Sequence, residues 1–478
     1  MTQDLHRQNL ESHLQKRGLN DDWKKWVRTN VKAGCDKNGM FKIMFDEGFD
    51  YDLIKDALSF EPVIPLDQII NPLKKDGLSQ IEEIETTSPI TAFIPNAERV
   101  NVDGIEFYIL EDFLNAEECE YIISKTIGCL RPSTLTADDE ADKYFRTSNT
   151  CDLGLLDDDM VQEIDRRICA MIGIDPAHSE TLQGQHYEVG QEFKAHTDFF
   201  EENELEEFGA ENGQRSYTFM IYLNDVEKGG ETSFTNIGQI VSPKQGRAVI
   251  WNSLHPDGSV NHNSLHHATP VEKGSKTVIT KWFRTKNGLP VFSRDENENV
   301  PNYTRVGFEK DILTKPLYQK ILDFYHQNLE KQFDETAAYD LVSNVEKKPN
   351  GSSLVQLPHS LNDEIHACLK PNLEVWSGIQ LEPTQVYGIR VYHNGAVLKP
   401  HRDRVKTHII SAIINVDQDV NQDWPLMIED NYCRRHNVIL KPGEVVYYEG
   451  ARLSHGRLEP LDGKRYANIF CHFKPLKP

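Results

Sequence analysis

The chain contains no run of roughly eighteen consecutive apolar residues, the length a membrane-crossing helix needs. Its opening stretch, MTQDLHRQNL, lacks the basic-then-apolar layout of a secretory signal, so a soluble, cytoplasmic protein with no membrane partner is expected. Cysteine is sparse. Eight residues in 478, none in a CxxC pair, suit neither a zinc ribbon nor a small disulfide scaffold and are read as reduced, mostly buried thiols. Basic side chains fall short of acidic ones, 52 against 75, and the resulting formal charge of −23 opposes binding to nucleic acid. Glycine and proline are spread along the chain, which excludes collagen-like and low-complexity classes. A chain of 478 residues exceeds one ordinary core, so two or three domains are expected.

Hydrophobic spacing divides the chain. Trp23, Trp26, Val27 and Val31 recur at helical intervals after the capping residue Asn20, with Gly34 as the stop. The cluster MFKIMF precedes Gly48, and Asp50 caps a helix through Leu53, Ile54, Ala57 and Leu58. Prolines 62, 65, 72, 89 and 95 then mark a connector. Ile105, Phe107 and Ile109 alternate as in a strand, and Asn115 with Glu118 forms a capping box. From about residue 180 to 286, short apolar strands separated by turn residues read as a β-sandwich or jelly roll. After a polar, proline-bearing linker, Pro316 opens a helix and Ser360 caps another before strands return. The expected division is 1–100 helical module and connector, 101–286 mixed module, 287–312 linker and 313–478 final module, an α+β class.

Two segments superpose without a gap: HYEVGQEFKAHTD (186–198) and VYHNGAVLKPHRD (391–403). Tyr187, Gly190, His196 and Asp198 in the first match Tyr392, Gly395, His401 and Asp403 in the second, which implies one architecture used twice. Ten residues separate His266 from Lys276, and ten separate His455 from Arg465. Two imidazoles and one carboxylate on one face of a metal form the facial triad of non-heme Fe(II) oxygenases, with positions left open for oxygen and a cosubstrate. A cation on a neighbouring strand could hold the far carboxylate of a dicarboxylic cosubstrate. A lone His-x-Asp is usually a surface pair; the ordered set, found twice, is what carries the metal reading.

Residues of about 105 to 286 resemble the catalytic domain of the prolyl 4-hydroxylase family through HTDFF, GQRSYTFMIYLNDVEKGGETSF, GRAVIWNSL and LHHATPVEKGSK, in the family's order. The resemblance implies a double-stranded β-helix (jelly-roll or cupin-like) fold and chemistry with Fe(II), 2-oxoglutarate and O2, with ascorbate as reductant. It further implies iron ligands His196, Asp198 and His266, with Lys276 on the 2-oxoglutarate tail, Tyr187 and Tyr222 as further cosubstrate contacts, and Arg215 and Trp251 at the substrate. Two features depart from the family. The distal histidine is doubled, and His266 is chosen over His267 from the register set by Pro270 and Val271; Thr277 stands where a tryptophan commonly follows the lysine. The final module resembles a second oxygenase double-stranded β-helix through HRD, WPLMI, PGEVVYYEG, HGR and GKRYANIF, without the GGET segment. It offers a second candidate set, His401, Asp403 and His455 with Arg465 as cosubstrate anchor; non-catalytic support is the other reading.

The expected activity is hydroxylation of a substrate C–H bond with release of succinate and CO2, first on a prolyl residue of a peptide or protein. A free amino acid or other small metabolite is the alternative substrate, and a final module that mainly binds a partner is the third reading. Between Asp198 and Arg215 lies FFEENELEEFGAENGQ, read first as a solvated face and second as an acidic lid drawing in a basic peptide or amine. Oligomeric state and the hydroxylated carbon are left open by the sequence.

Overall fold

The computed structural model describes residues 18–32, 35–62, 66, 69, 92–133, 146–202, 204–205, 209, 212–286, 288–293, 296–297, 299–335, 341–344 and 351–476. Gly34 and most of the proline-bearing connector lie outside the described residues. The chain divides into two compact units, Met1–Ser293 and Arg294–Pro478, so the N-terminal helices belong to the first unit. No described helix is long and apolar enough to cross a membrane.

Local capping follows the side chains. Asn20 accepts from the Trp23 N–H at the start of Asp21–Lys32, and Asp50 accepts from Asp52 and Leu53 at the start of Tyr51–Leu58. Asn115 and Glu118 form the reciprocal box that opens Ala116–Gly128. In the second unit, Pro316 occupies the first turn of Lys315–Asn328. The helix His359–Ser377 begins one residue before Ser360, after Pro358 and without a side-chain cap, which corrects the expected cap.

In the first unit, four central strands of the larger sheet lie in the order Ala248–Asn252, Arg215–Tyr222, Lys276–Lys286, Gln183–Tyr187, all antiparallel. The smaller sheet runs Gln239–Val241, Thr232–Phe234, His266–Ala268, Phe193–His196. Tyr187, Tyr222, Val249, Trp251 and Val278 from the larger sheet share one core with Phe234, Val241 and Ala268 from the smaller. Lys276–Lys286 is buried along nearly its whole length because its other face is also covered: Lys281 reaches Asp165 of the helix Asp159–Ile172.

The second unit repeats the order. Its larger sheet contains Glu444–Tyr448, Ile410–Val420, Gly463–Pro475 and Leu381–His393; its smaller sheet contains Arg435–Val438, Leu426–Glu429, His455–Arg457 and Ala396–His401. The matched glycines have a reason. Gly190 and Gly395 hold φ of +83° and +78°, the left-handed region, and their amides donate to Val271 and Leu461 carbonyls, each at 2.8 Å. The eight cysteines are free thiols, six of them buried.

Candidate active site

Strand ends deliver the first cluster. His196 closes Phe193–His196, His266 opens His266–Ala268, and the two are directly paired across the antiparallel ladder. The Asp198 carboxylate lies 4.0 Å from His196 Nε2 and 3.9 Å from His266 Nε2. The three donor atoms lie within 4.8 Å of one another. His196 Nδ1 is 2.7 Å from the Lys194 carbonyl, and His266 Nδ1 is 2.9 Å from that of Ser264. A carbonyl only accepts, so each Nδ1 carries the proton and leaves the Nε2 lone pair for a metal. Burial, followed by the neighbouring His266, pushes His196 well below the usual histidine range, which favours the neutral ligand form.

Asp198 is held in place twice. Thr218 Oγ1 donates to its Oδ2 at 2.6 Å, and Arg215 Nη1 donates to its backbone carbonyl at 3.3 Å. The donor chemistry, two imidazoles with Nε2 toward the cluster and one carboxylate, fits Fe(II).

Lys276 pairs with Tyr187 across the larger sheet, and its Nζ lies 5.0 Å and 5.6 Å from the Tyr187 and Tyr222 ring centroids. That nitrogen is buried with no hydrogen-bond partner among the described residues, and burial lowers its pKa to about 7. An amine in that setting is satisfied by a ligand carboxylate, so the residues present also fit a dicarboxylic cosubstrate. The Tyr222 hydroxyl is occupied by Thr232 Oγ1 at 2.6 Å and the Val241 carbonyl at 3.2 Å, so this tyrosine frames the amine through its ring. The Tyr187 hydroxyl donates to Gln185 at 3.3 Å.

His267 alternates to the other face of its strand and meets Glu192 at 2.9 Å. Thr277 bonds His186 Nδ1 at 2.9 Å. The two residues expected at the substrate, Arg215 and Trp251, both contact the cluster's ligands. Arg215 forks onto Glu180 at 2.6 and 2.7 Å and stacks over Phe200 and Trp282, so it positions Asp198. Trp251 is 1% exposed and its ring packs edge-on against His266 at 4.9 Å, where it buttresses that imidazole. Sequence reading passed over Glu180, Thr218 and Arg146. Thr218 shares a strand face with Tyr222, a parity that could have found it. Glu180 and Arg146 carry no such signal. Arg146 lies over the Phe193 ring, with its pKa brought down to about 10 by burial.

The second unit builds the same cluster. Asp403 Oδ1 is 4.0 Å from His401 Nε2 and 3.9 Å from His455 Nε2; the Nδ1 atoms each lie 2.9 Å from carbonyls two residues earlier, those of Lys399 and Leu453. Tyr448 packs edge-on against His455 at 4.8 Å, as Trp251 does against His266. Arg465 does not join this cluster. Tyr392 pairs with Tyr466, so Arg465, one residue earlier, turns to the opposite face, where it bonds Asp417 at 2.9 and 3.0 Å.

A family model described as the 2OG-Fe(II) oxygenase superfamily matches residues 182–284, the segment holding Tyr187 through Lys276. Probable prolyl 4-hydroxylase 7 of Arabidopsis thaliana is 30% identical over 226 residues, 42% of this chain and 71% of that protein. Prolyl 4-hydroxylase 5 of the same plant is 35% identical over 198 residues, 37% of this chain and 67% of that protein. Among solved structures, the viral collagen prolyl hydroxylase of Paramecium Bursaria Chlorella virus-1, in its 2OG complex, is 24% identical with a TM-score of 0.30, covering 38% of this chain and 96% of that one. The chain belongs to the prolyl 4-hydroxylase-like 2-oxoglutarate- and Fe(II)-dependent oxygenases, oxidoreductases that use Fe(II), 2-oxoglutarate and O2.

Proposed function

We propose that His196, Asp198 and His266 hold Fe(II), that Lys276 holds the far carboxylate of 2-oxoglutarate, and that the chain hydroxylates a prolyl residue of a peptide or protein. The observation that carries this reading is the pairing of a three-donor cluster with a buried cation on the next sheet that has no partner among the described residues. Fe(II) held there would supply the activation of O2, one atom of which would be used in converting 2-oxoglutarate to succinate and CO2 and the other inserted into the substrate C–H bond. The chain's own residues orient and exclude. The Nδ1 bonds to Lys194 and Ser264 fix both imidazoles, Thr218 and Arg215 fix Asp198, and Tyr187, Tyr222 and Trp251 keep water from the interior.

The strand order of both units supports the double-stranded β-helix reading. We also propose a basic peptide as substrate: Glu201 and Glu202 are exposed just after Asp198, and Glu204 is half-buried beside them. Glu206, Glu207 and Glu211 of the same acidic stretch lie outside the described residues. The test is a mass-spectrometric search for one added oxygen, with Fe(II), 2-oxoglutarate and ascorbate, on a proline-containing peptide library mixed with free amino acids. Oxygen on peptidyl proline is expected; oxygen only on a free amino acid would move the enzyme to small-metabolite chemistry.

A further inference from the structure

The second unit carries its own buried cation, and it is not the one that residue counting selects. Register equates Tyr466 with Lys276, because Tyr392 pairs with Tyr466 as Tyr187 pairs with Lys276. The place of Lys276 is therefore aromatic. Arg457 in turn corresponds to Ala268: each lies two residues after the distal histidine, paired with Leu398 and Phe193 respectively. The exchange is complementary. Where the first unit has a small residue and a lysine, the second has an arginine and a tyrosine, so a cation still enters the interior, from the adjoining sheet.

The setting of that cation resembles a ligand site. Arg457 is 1% exposed, shares a strand face with His455, and lies 4.6 Å and 4.4 Å from the Trp424 and Tyr466 ring centroids. Tyr392 packs against Trp424 to close the aromatic wall. Nη1 donates to the Trp424 carbonyl; Nη2 is buried with no hydrogen-bond partner among the described residues. The three other arginines that are fully buried among the described residues meet carboxylates: Arg131 has Asp152, Arg167 has Glu118 and Arg284 has Glu180. Arg457 has none among the described residues, and a guanidinium fork matches a carboxylate.

We propose that the second unit is a second ligand site, in which His401, Asp403 and His455 bind a divalent transition metal and Arg457 binds the carboxylate of a small dicarboxylic or 2-oxo acid beside it. This extends the Fe(II) reading of the first unit to a site with its own anchor.

The test uses the full chain without iron. Bound Mn(II) is counted by electron paramagnetic resonance, and 2-oxoglutarate affinity is measured by calorimetry. Two Mn(II) per wild-type chain are expected, one in His196→Ala and one in His401→Ala. In the His196→Ala background, Arg457→Met should weaken 2-oxoglutarate about 30-fold or more, as loss of a buried charged partner does, with the Mn(II) count unchanged. Arg465→Met should leave both quantities alone. A wild-type count of one, removed by His196→Ala, would overturn the second site while leaving the first standing. A count of one that responds only to His401→Ala would support the second site and defeat the first reading. Unchanged 2-oxoglutarate affinity in Arg457→Met would overturn the anchor. Should that variant not fold, Arg457→Lys is read instead: weaker binding at an unchanged Mn(II) count supports the anchor, and equal affinity overturns it.

Discussion

Lys276 is a lysine that the fold holds at a disadvantage. Its pKa is about 7 in the fold against an ordinary 10.5, with burial as the cause. Between those values the unfolded chain binds the proton that the folded chain has shed, so stability rises with pH, at a limiting slope of about 1.4 kcal/mol per pH unit. The contribution is full above the unfolded pKa and is lost as pH falls through about 7. Thermal melts of the cofactor-free protein across that window should therefore climb more steeply for the wild type than for Lys276→Met. Saturating 2-oxoglutarate with Mn(II) should flatten the wild-type climb, because a carboxylate partner restores the charged amine. Parallel curves for the two proteins would show that the amine does not titrate in this window. Thr218 offers a second single-residue test. Thr218→Val removes the 2.6 Å bond to Asp198 with little change of volume, and metal affinity should fall about 10- to 100-fold, as for loss of an outer partner of a ligand. An unaltered Mn(II) dissociation constant would make that bond incidental.

Among the elements, the helix Ala116–Gly128 shows how one carboxylate serves two purposes. Glu118 Oε2 accepts from the Asn115 N–H to complete the capping box, and Oε1 meets the buried Arg167 at 2.6 Å. Asn115→Ala should cost about 1 kcal/mol, the usual value of a cap. Glu118→Ala also strips a buried guanidinium of its carboxylate and should cost about 3–5 kcal/mol in denaturant unfolding. Equal costs would mean that Arg167 finds compensation elsewhere. The capping box was legible from four residues of sequence because its chemistry is local, and most of each three-donor cluster was legible because Tyr, Gly and His-x-Asp lie on one short segment in each unit that passes from the larger sheet to the smaller. What failed was a count across a loop. His266 to Lys276 and His455 to Arg465 are equally long in residues, yet Tyr466 is the one opposite Tyr392, and a shift of one along a strand reverses the face. The contacts of Arg215 with Glu180 and of Trp251 with His266 were not legible for another reason: they join distant segments that no motif links.

At the scale of the whole molecule, the formal charge of −23 acts on every encounter before any contact forms. With Glu201 and Glu202 exposed next to the Asp198 end of the cluster, the local field adds to the global one. A peptide with lysines or arginines flanking its proline should be captured faster than its acidic counterpart, and salt should erase the difference because the Debye length falls from about 30 Å at 0.01 M to about 10 Å at 0.1 M. The expected result is a kcat/KM that falls with ionic strength for the basic peptide and rises for the acidic one. Replacing Glu201, Glu202 and Glu204 by glutamine separates the two contributions: the slope for the basic peptide should shrink if the acidic stretch steers locally, and persist if the global charge does the steering. Identical, flat salt dependences for both peptides would remove electrostatic selection from this enzyme, and leave the choice of proline to contacts made inside the site.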